Sequence, residues 1–511
     1  MMVKAFGSAC CGIDALTVTI ETDVSVGINF FLVGLPDSAV RESQQRISTA
    51  FESMGLRMPG RKVVINMAPA DLKKEGSAYD LPIALSILAA SEQIKAPKLS
   101  SFVCMGELAL DGRLRPVSGA LSIALHAKSE GFNGCIFPIE SAQEAAAVEG
   151  IDVYGATHLS QVISLLSGNN GLSPLKTTEW SNNCASSHRL DFADIKGQEQ
   201  AKRALIIAAA GGHNVLMIGP PGSGKSLMAK CLPSILPPLT KEESMETTRI
   251  YSVWGRHAAE TGSPHGHECG LIRDRPFRSP HHTASMVSLV GGGPQAMPGE
   301  ISLAHHGVLY LDEIPEFPRH ALEVLRQPLE DRIITLARMR YRVSYPANFM
   351  LVASMNPCPC GYYGSVKRNC TCSQMEVQRY MGRISGPMFD RIDLHISVEA
   401  LSPDELINTT SSIPSALIRE QVVAARSTAC LRFSKESAIF ANAQMTHKHM
   451  QQYCSINVES ATYLKQCINT LNLSARAYDR ILKVARTIAD LERAQAIRTE
   501  HLAEAVQYRV A

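Results

Sequence analysis

The chain has 511 residues, which at roughly 100 to 200 residues per domain predicts about three domains and excludes a peptide or a single small module. Its 45% hydrophobic and 19% charged residues are those of an ordinary globular protein and exclude a disordered or collagenous chain. The chain has 50 basic and 48 acidic residues, so its formal net charge is only +2. Nucleic-acid binding would therefore have to come from local basic clusters.

The chain begins without a basic region followed by an apolar stretch and a cleavage site. No apolar run approaches the ~18 residues that a membrane span requires. We therefore expect a cytoplasmic protein without a membrane partner.

Four segments follow one another along the chain. Residues 1–166 alternate β-rich and helical segments and predict an α/β domain. Residues 167–188 are rich in Ser, Asn, Gly and Thr and predict a linker. Residues 189–400 alternate short apolar strands with helices and predict a second α/β domain, whereas residues 401–511 predict a helical lid. The predicted fold class is α/β with an α-helical end.

The strongest motif is a glycine-rich loop between an apolar strand and a helix. The sequence GPPGSGKS fits G-x-x-x-x-G-K-[ST] and follows the strand NVLMI. Its glycines let backbone N–H groups surround a phosphate, Lys225 supplies a cation, and the Ser226 hydroxyl is a ligand for Mg²⁺. The predicted nucleotide-binding residues are Gly219, Pro220, Pro221, Gly222, Ser223, Gly224, Lys225, Ser226 and Leu227.

An acidic motif, HGVLYLDE, follows later in the same predicted domain. Its apolar residues predict a buried strand that brings Asp312 and Glu313 to its carboxyl end. Asp312 would assist in binding Mg²⁺, and Glu313 would orient or deprotonate water. Such a pair alone is usually a strand end, but together with the glycine-rich loop it indicates a nucleotide hydrolase.

Three further polar residues are candidates for the same chemistry. Asn356 ends the strand NFMLVASMNP and would position the attacking water, the alternative being a turn asparagine before proline. Arg391 lies between two acids and would reach the γ phosphate of a neighbouring subunit, the alternative being a surface ion pair. Arg476, near the start of a predicted lid helix, would contact phosphate from above the site.

These motifs, in this order and with an all-helical end, resemble AAA+ ATPases of the magnesium chelatase-like branch. The segments RPFRSPHHTAS, GGGPQAMPGEISLAHHGVLYLDE and NPCPCGYYG resemble the YifB/ComM family in particular, and the resemblance extends over nearly the whole chain. It implies ATP and Mg²⁺ as cofactors. It also implies Lys225 and Ser226 as Walker A, Asp312 and Glu313 as Walker B, Asn356 as sensor 1, Arg391 as arginine finger and Arg476 as sensor 2.

The N-terminal segments VGLPDSAVRES, KKEGSAYDLPIAL and LRPVSGALSIALHAKSEGF resemble the Lon-protease/S5-type fold. That resemblance raises a protease hypothesis based on a Ser–Lys dyad. Ala78 stands at the serine position, with Ser77 one place away, and Leu121 and Ile123 stand where the lysine is expected. Because the base that would activate a serine is missing, proteolysis is disfavoured and a scaffold or partner surface is expected.

A group of four cysteines lies at Cys358, Cys360, Cys370 and Cys372. Four thiolates would close a tetrahedral, structural Zn²⁺ site, although the C-x-C spacing is tighter than the usual C-x₂₋₄-C. The alternative is four unliganded thiols on a loop. Basic and aromatic neighbours raise the hypothesis that this loop faces nucleic acid: Lys367, Arg368, Arg379, Arg383, Tyr362 and Tyr363.

A second basic segment, LEDRIITLARMRYRVSYPANF, alternates in a β-like pattern and predicts a hairpin. In a ring ATPase such a hairpin would contact a phosphate backbone, the alternative being a solvated hairpin that faces a neighbouring subunit. Its arginines are Arg332, Arg338, Arg340 and Arg342.

The leading hypothesis is an ATP-driven ring motor, a homo-oligomer and expected hexamer, that acts on single-stranded or branched DNA. The ComM side of the resemblance implies helicase-like branch migration during natural transformation. A magnesium chelatase-like subunit that remodels a protein or a porphyrin–enzyme complex is the alternative. A Lon-like protease and a non-enzymatic DNA-binding regulator are weaker ones.

Overall fold

The computed structural model describes residues 2–169, 171–176, 180, 190–255, 270–293, 295–337, 342–364, 368–400, 413–434, 439–471 and 473–510. The chain forms two compact units. The first consists of Met1–Asn183, Thr240–Ile272 and Ala337–Tyr345, and the second of Cys184–Leu239, Arg273–Leu336 and Pro346–Ala511. None of the described helices has the length and apolarity that a membrane crossing requires. The domain boundaries inferred from the sequence stay predictions.

The first unit is built on a seven-stranded mixed sheet with the order β3-β4-β2-β1-β5-β8-β9. The pairs β1–β2 and β2–β4 are antiparallel, and the other neighbours run parallel. Strands β6 and β7 form a separate two-stranded sheet. The strands are β1 (Met2–Cys11), β2 (Asp14–Ser25), β3 (Phe30–Val33), β4 (Lys62–Ala68), β5 (Phe102–Cys104), β6 (Glu107–Leu108), β7 (Leu114–Arg115), β8 (Gly134–Pro138) and β9 (Asp152–Ala156).

The helices of the first unit include one that is apolar on every side. Ten of the eleven residues of Asp80–Ala90 are buried, so this helix belongs to the core. Helix Lys241–Trp254 begins with a capping box between Thr240 and Glu243. The remaining helices are Ser38–Arg41, Ser43–Ser53, Ala120–Ser129, Ile139–Ala145 and Leu159–Leu166, with 3₁₀ turns at Ser77–Tyr79 and Leu99–Ser101.

The second unit is built on a five-stranded parallel sheet with the order β11-β14-β17-β10-β18. Strand β10 comes first along the chain but lies between β17 and β18, which come fourth and fifth. The strand order therefore changes direction beside β10. Ligands of such sheets bind at the carboxyl ends of the strands near that point. The strands are β10 (Val215–Ile218), β11 (Phe277–Arg278), β14 (Val308–Leu311), β17 (Met350–Met355) and β18 (Leu394–Ser397).

Two short ladders complete the strands. Strands β12 (Gly291–Gly292) and β13 (Met297–Pro298) pair with each other, as do β15 (Ile333–Ala337) and β16 (Arg342–Pro346). The second ladder is the hairpin that the basic segment predicts. Arg338 and Arg340 lie outside the described residues.

The helices of the second unit include those that make up the end of the chain. Every regular element among the described residues of 413–510 is a helix or a 3₁₀ turn, whereas a lid role for this end stays a prediction. The helices are Glu199–Gly211, Lys225–Cys231, Met286–Val290, Glu300–Leu303, Arg319–Val324, Arg326–Asp331, Gln374–Met381, Gly386–Phe389, Ser415–Arg432, His447–Tyr453, Val458–Leu471, Ala475–Leu491 and Thr499–Val510. The 3₁₀ turns are Phe192–Asp194, Leu232–Ile235, Ile314–Glu316 and Asn442–Gln444.

Candidate nucleotide-binding site

A cavity of about 380 Å³ opens at the carboxyl ends of β10, β14 and β17. The glycine-rich loop, the acidic pair and the asparagine that the sequence predicts for one site therefore meet in the structure. The lining consists of residues 221–227, Asp312, Glu313, Ser354, Met355 and Asn356.

The glycine-rich loop needs glycine at several positions. Gly222 and Gly224 have φ of +77° and +89°, a region that other residues rarely adopt. A Cβ at Gly219 would lie 2.1 Å from the carbonyl oxygen of Val398, so this position has no room for a side chain. The loop can thus turn tightly and leave its backbone N–H groups for a phosphate.

Lys225 is buried within this loop. Its Nζ donates to the carbonyl oxygens of Gly219 at 2.7 Å and Pro220 at 2.8 Å, and it lies 3.4 Å from Oδ1 of Asn356. Burial lowers the pKa of Lys225, and the charges of Asp312 and Glu313 oppose that effect. The cation is therefore held between the loop and Asn356 at the end of β17, where a phosphate can replace its carbonyl partners.

A network of hydroxyl groups surrounds Asp312. Ser226 Oγ donates to Oδ2 at 3.0 Å, and Ser354 Oγ donates to Oδ1. The Tyr310 hydroxyl lies 3.2 Å from Ser226 Oγ and 3.1 Å from Ser354 Oγ. Burial alone would raise the pKa of Asp312, but these hydrogen bonds outweigh it and hold the pKa below its usual value. A carboxylate and a hydroxyl oxygen this close are ligands that Mg²⁺ prefers, so the residues fit a magnesium nucleotide.

Sequence analysis did not identify Tyr310 and Ser354 as part of the site. Both lie in strands whose pattern is apolar. Each precedes a predicted site residue by two positions, Asp312 in one strand and Asn356 in the other. The available signal was a polar atom inside an otherwise apolar strand, because such an atom needs a hydrogen-bond partner when buried.

Glu313 has a left-handed backbone, with φ of 50°. A non-glycine residue in this region costs on the order of 1–3 kcal/mol unless the surroundings hold it. Its N–H donates to Oδ1 of Asp312 at 3.1 Å. The exposed side chain of Glu313 lines the cavity.

The two predicted arginines are not among the residues that line the cavity. Arg391 is 6% exposed, pairs with Glu330 at 2.5 Å and donates to the carbonyl oxygen of Pro387 at 2.8 Å. Arg476 is exposed in the first turn of Ala475–Leu491. Their roles as arginine finger and sensor 2 stay predictions.

Three family models match this chain in succession. They are described as subunit ChlI of Mg-chelatase over residues 20–141, magnesium chelatase subunit ChlI over residues 191–406, and the ChlI C-terminal region over residues 412–509. YifB of Salmonella typhimurium is 43% identical over 98% of this chain and 96% of its own. The competence protein ComM of Haemophilus influenzae is 43% identical over 99% of this chain and 96% of its own. The chain belongs to the YifB/ComM family of magnesium chelatase-like proteins.

Magnesium-chelatase subunit ChlI of Chlorella vulgaris is a more distant relative of this YifB/ComM family member. It is 28% identical over 32% of this chain and 51% of its own length. The similarity to YifB and ComM thus extends over nearly the full chain, and the similarity to this chelatase subunit covers about a third of it.

The four cysteines form a compact group that begins two residues after Asn356. Their Sγ atoms all lie within 4.8 Å of one another, and Cys358 is buried. Nearby, the guanidinium of Arg368 lies 4.6 Å from the centre of the Tyr362 ring, and Tyr363 is exposed. Arg379 is exposed, Arg383 pairs with Glu316 at 2.7 Å, and Lys367 lies outside the described residues.

The positions that a Ser–Lys dyad would occupy contain other pairings. Ser77 Oγ donates to a carboxylate oxygen of Glu107, and the fully buried Lys74 donates to the carbonyl oxygen of Pro69. Leu121 and Ile123 are buried in the core of the first unit. In the described structure Ser77 is therefore paired with a carboxylate and Lys74 with a backbone carbonyl, rather than with each other.

Proposed function

We propose that this protein is a cytoplasmic ATPase that works on DNA as a ring-shaped homo-oligomer, expected to be a hexamer. Its activity would be helicase-like branch migration of recombination intermediates during natural transformation. The observation that carries the ATPase part is the convergence of Lys225, Ser226, Asp312 and Asn356 on one cavity. The name of the Haemophilus influenzae relative supports the link to competence.

Each side chain has a part in this chemistry. Lys225 would exchange its carbonyl partners for phosphate oxygens, and Ser226 and Asp312 would hold Mg²⁺ through oxygen atoms. Bound Mg²⁺ neutralises charge on the phosphates. Glu313 would accept a proton from water, and the Asn356 amide would orient that water.

The proposal that DNA is the substrate rests on exposed residues of the second basic segment, of the loop that carries the four cysteines and of helix Gln374–Met381, which follows that loop. Arg342 on β16 and Arg379 are exposed, and Tyr363 offers an exposed ring for stacking on a base. Cations and rings together bind single strands with little sequence preference.

We also propose roles for the remaining parts of the chain. The four cysteines would hold a structural Zn²⁺, which their mutual distances support. The helical end would be a lid over the nucleotide. The first unit would be a Lon/S5-like scaffold or partner surface without protease activity.

The experiment compares ATP turnover of the wild type, Lys225→Ala and Lys230→Ala, each without DNA, with single-stranded DNA and with branched DNA. Lys230 is an exposed lysine on the same helix and serves as the matched control. We expect Lys225→Ala to lose turnover, and we expect DNA to stimulate the wild type and Lys230→Ala equally. Strong turnover that no DNA changes would contradict the DNA motor and favour a protein or porphyrin-complex client.

A chelatase-like subunit remains the second candidate, because the family models that match are those of the chelatase subunit ChlI. It predicts turnover that responds to a porphyrin-binding partner and is indifferent to DNA. The same assay therefore separates the two functions.

A further inference from the structure

The sulfur atoms of the cysteine group have the spacing of a tetrahedral metal site. Cys358 Sγ lies 3.3 Å from Cys360 Sγ and 3.7 Å from Cys370 Sγ, and the latter two lie 3.5 Å apart. A tetrahedral Zn²⁺ with Zn–S bonds of about 2.3 Å requires sulfurs about 3.8 Å apart. The observed distances are close to this value and far longer than the ~2.05 Å of a disulfide.

Backbone groups already orient two of the sulfurs. The N–H of Tyr363 donates to Cys358 Sγ at 3.3 Å, and the N–H of Cys372 donates to Cys370 Sγ at 3.4 Å. Hydrogen bonds of this kind orient metal ligands and compensate the charge of thiolates. The loop thus supplies the four ligands and also supports them.

The cysteine loop, which begins at Cys358 and ends at Cys372, is connected to the nucleotide site along the chain and by packing. Cys358 follows Asn356 by two residues, and Asn356 Oδ1 lies 3.4 Å from Lys225 Nζ. Gly361 packs on the glycine-rich loop, because a Cβ there would lie 2.7 Å from Cδ of Pro221 and 3.9 Å from Cγ of Asn356. Its φ of +86° also favours glycine.

We propose that Zn²⁺ bound by Cys358, Cys360, Cys370 and Cys372 fixes the segment from Asn356 to Gly361 against the glycine-rich loop, so that ATP turnover depends on this metal. The ion is structural, since four thiolates leave no open coordination position. Cys358 and Cys360 lie within the segment that touches the nucleotide site, whereas Cys370 and Cys372 precede helix Gln374–Met381. The metal would therefore join that segment to the helix. This inference rests on the ATPase activity proposed above.

The first experiment measures the zinc content of the purified full-length protein by atomic spectrometry. We expect one ion per chain in the wild type and a loss in the double variant Cys370→Ser, Cys372→Ser. Cys430→Ser is the matched control, because Cys430 is an exposed cysteine on helix Ser415–Arg432. A wild type that holds no zinc after incubation with zinc and dialysis would overturn the proposal.

A second variant separates metal binding from its effect on the nucleotide site. Gly361→Ala keeps all four thiolates but places a methyl group against Pro221. We expect it to retain one zinc per chain and to lose no more than a few degrees of melting temperature to the strain at Gly361, while turnover falls roughly tenfold or more. Wild-type turnover in the zinc-free double variant would overturn the coupling, whatever the turnover of Gly361→Ala.

Nucleotide binding gives a readout that does not depend on turnover. If the wild type hydrolyses no ATP under any condition, the proposed function fails, and the affinity for a fluorescent ATP analogue decides the inference. Weaker binding in the double variant and in Gly361→Ala, with unchanged binding in Cys430→Ser, would support it. Equal affinity in all four proteins would overturn it.

Discussion

At the residue scale, the carboxylate of Asp312 depends on neighbouring hydroxyl groups for its ionised state. Ser226 and Ser354 donate to its two oxygens, and Tyr310 touches both hydroxyls. Burial would favour the neutral acid, so the hydrogen bonds are what keep the pKa of Asp312 below its usual value. Acid conditions that protonate Asp312 would therefore remove the proposed magnesium ligand.

We predict that Ser354→Ala weakens the binding of catalytic Mg²⁺. Because the variant removes a hydrogen bond to the ionised carboxylate, the pKa of Asp312 rises toward its usual value. The acidic limb of the pH–rate profile should move to higher pH, and the Mg²⁺ concentration for half-maximal turnover should rise roughly 10- to 100-fold. ATP turnover as a function of pH and Mg²⁺ measures both.

The control for Ser354→Ala is Ser302→Ala. Ser302 is a fully buried serine of the same unit whose hydroxyl has no hydrogen-bond partner in the described structure. Its loss should leave the pH and Mg²⁺ profiles unchanged. Profiles of Ser354→Ala that coincide with the wild type would show that the Ser354 hydroxyl does not support Asp312.

At the scale of elements, one buried acid, Asp490, connects parts of the helical end by pairing with two arginines. Asp490 on Ala475–Leu491 pairs with Arg432 at 2.5 Å and with Arg486 at 3.0 Å. Asn442 also donates to Asp490, at 2.8 Å. These contacts connect Ser415–Arg432, the 3₁₀ turn Asn442–Gln444 and Ala475–Leu491 at a buried point.

We predict that Asp490→Ala destabilises the helical end by about 3–5 kcal/mol, because it leaves the buried guanidinium of Arg486 and the partly buried one of Arg432 without their acid. Thermal unfolding followed by far-UV circular dichroism measures the effect as a lower melting temperature. Glu420→Ala, an exposed acid on the neighbouring helix, is the control and should change stability by less than about 0.5 kcal/mol. Equal melting temperatures for the two variants would contradict the structural role of Asp490.

A second element-scale feature is the place of helix Lys241–Trp254 in the first unit. Ser252 Oγ donates to Oε1 of Glu144 at 2.5 Å, and the N–H of Leu121 donates to the same oxygen at 3.3 Å. Arg249 pairs with Asp14 at 3.0 Å. Burial raises the pKa of Glu144 to about 7, and the hydrogen bonds from Ser252 and Leu121 oppose this rise.

We predict that Glu144→Gln removes a pH dependence from the stability of the first unit. In the unfolded chain Glu144 ionises near the ordinary glutamate pKa of 4.5, whereas in the folded chain it stays protonated until about pH 7. The free energy of unfolding of the wild type should therefore fall by as much as about 3 kcal/mol as the pH rises from about 5 to 7. Above pH 7 it should level off. In Glu144→Gln the amide oxygen still accepts the hydrogen bond from Ser252. Because the amide does not ionise, the variant should not lose stability as the pH rises.

Tryptophan fluorescence measures this effect selectively, because both tryptophans, Trp180 and Trp254, belong to the first unit. The free energy of unfolding should be measured at pH 5 and pH 8. Relative to the wild type, Glu144→Gln should be more stable at pH 8 than at pH 5. Glu140→Gln, an exposed acid on the same helix as Glu144, should follow the wild type. Parallel pH dependence in all three proteins would contradict the prediction.

The sequence predicts those features whose determinants lie within a few residues. The glycine-rich loop, the strand that ends in Asp312 and the strand that ends in Asn356 are continuous motifs, so their meeting in one cavity follows from a parallel sheet. Other features depend on partners far along the chain. Nothing local indicates that Arg249 finds Asp14, that Arg391 finds Glu330, or that Arg480 of SARAYDRI contacts Asp393.

At the scale of the whole molecule, the proposed ring divides each catalytic site between two chains. Lys225, Asp312 and Glu313 come from one subunit, and Arg391 would come from the next. In head-to-tail rings every subunit offers both surfaces. Arg391 would have to exchange its ion pair with Glu330 for the γ phosphate of the neighbouring subunit.

We predict that two inactive variants, Lys225→Ala and Arg391→Ala, regain activity when they are mixed and reassembled. An Arg391→Ala subunit has an intact phosphate-binding loop and can receive the arginine of a Lys225→Ala neighbour. For random equal mixing and independent sites, about a quarter of the sites should be complete. A mixture of Lys225→Ala with Glu313→Gln is the control and should stay inactive, because both substitutions damage the part of the site that one chain supplies. If the first mixture stays as inactive as the control although the variants co-assemble, Arg391 acts within its own chain, where it holds Glu330.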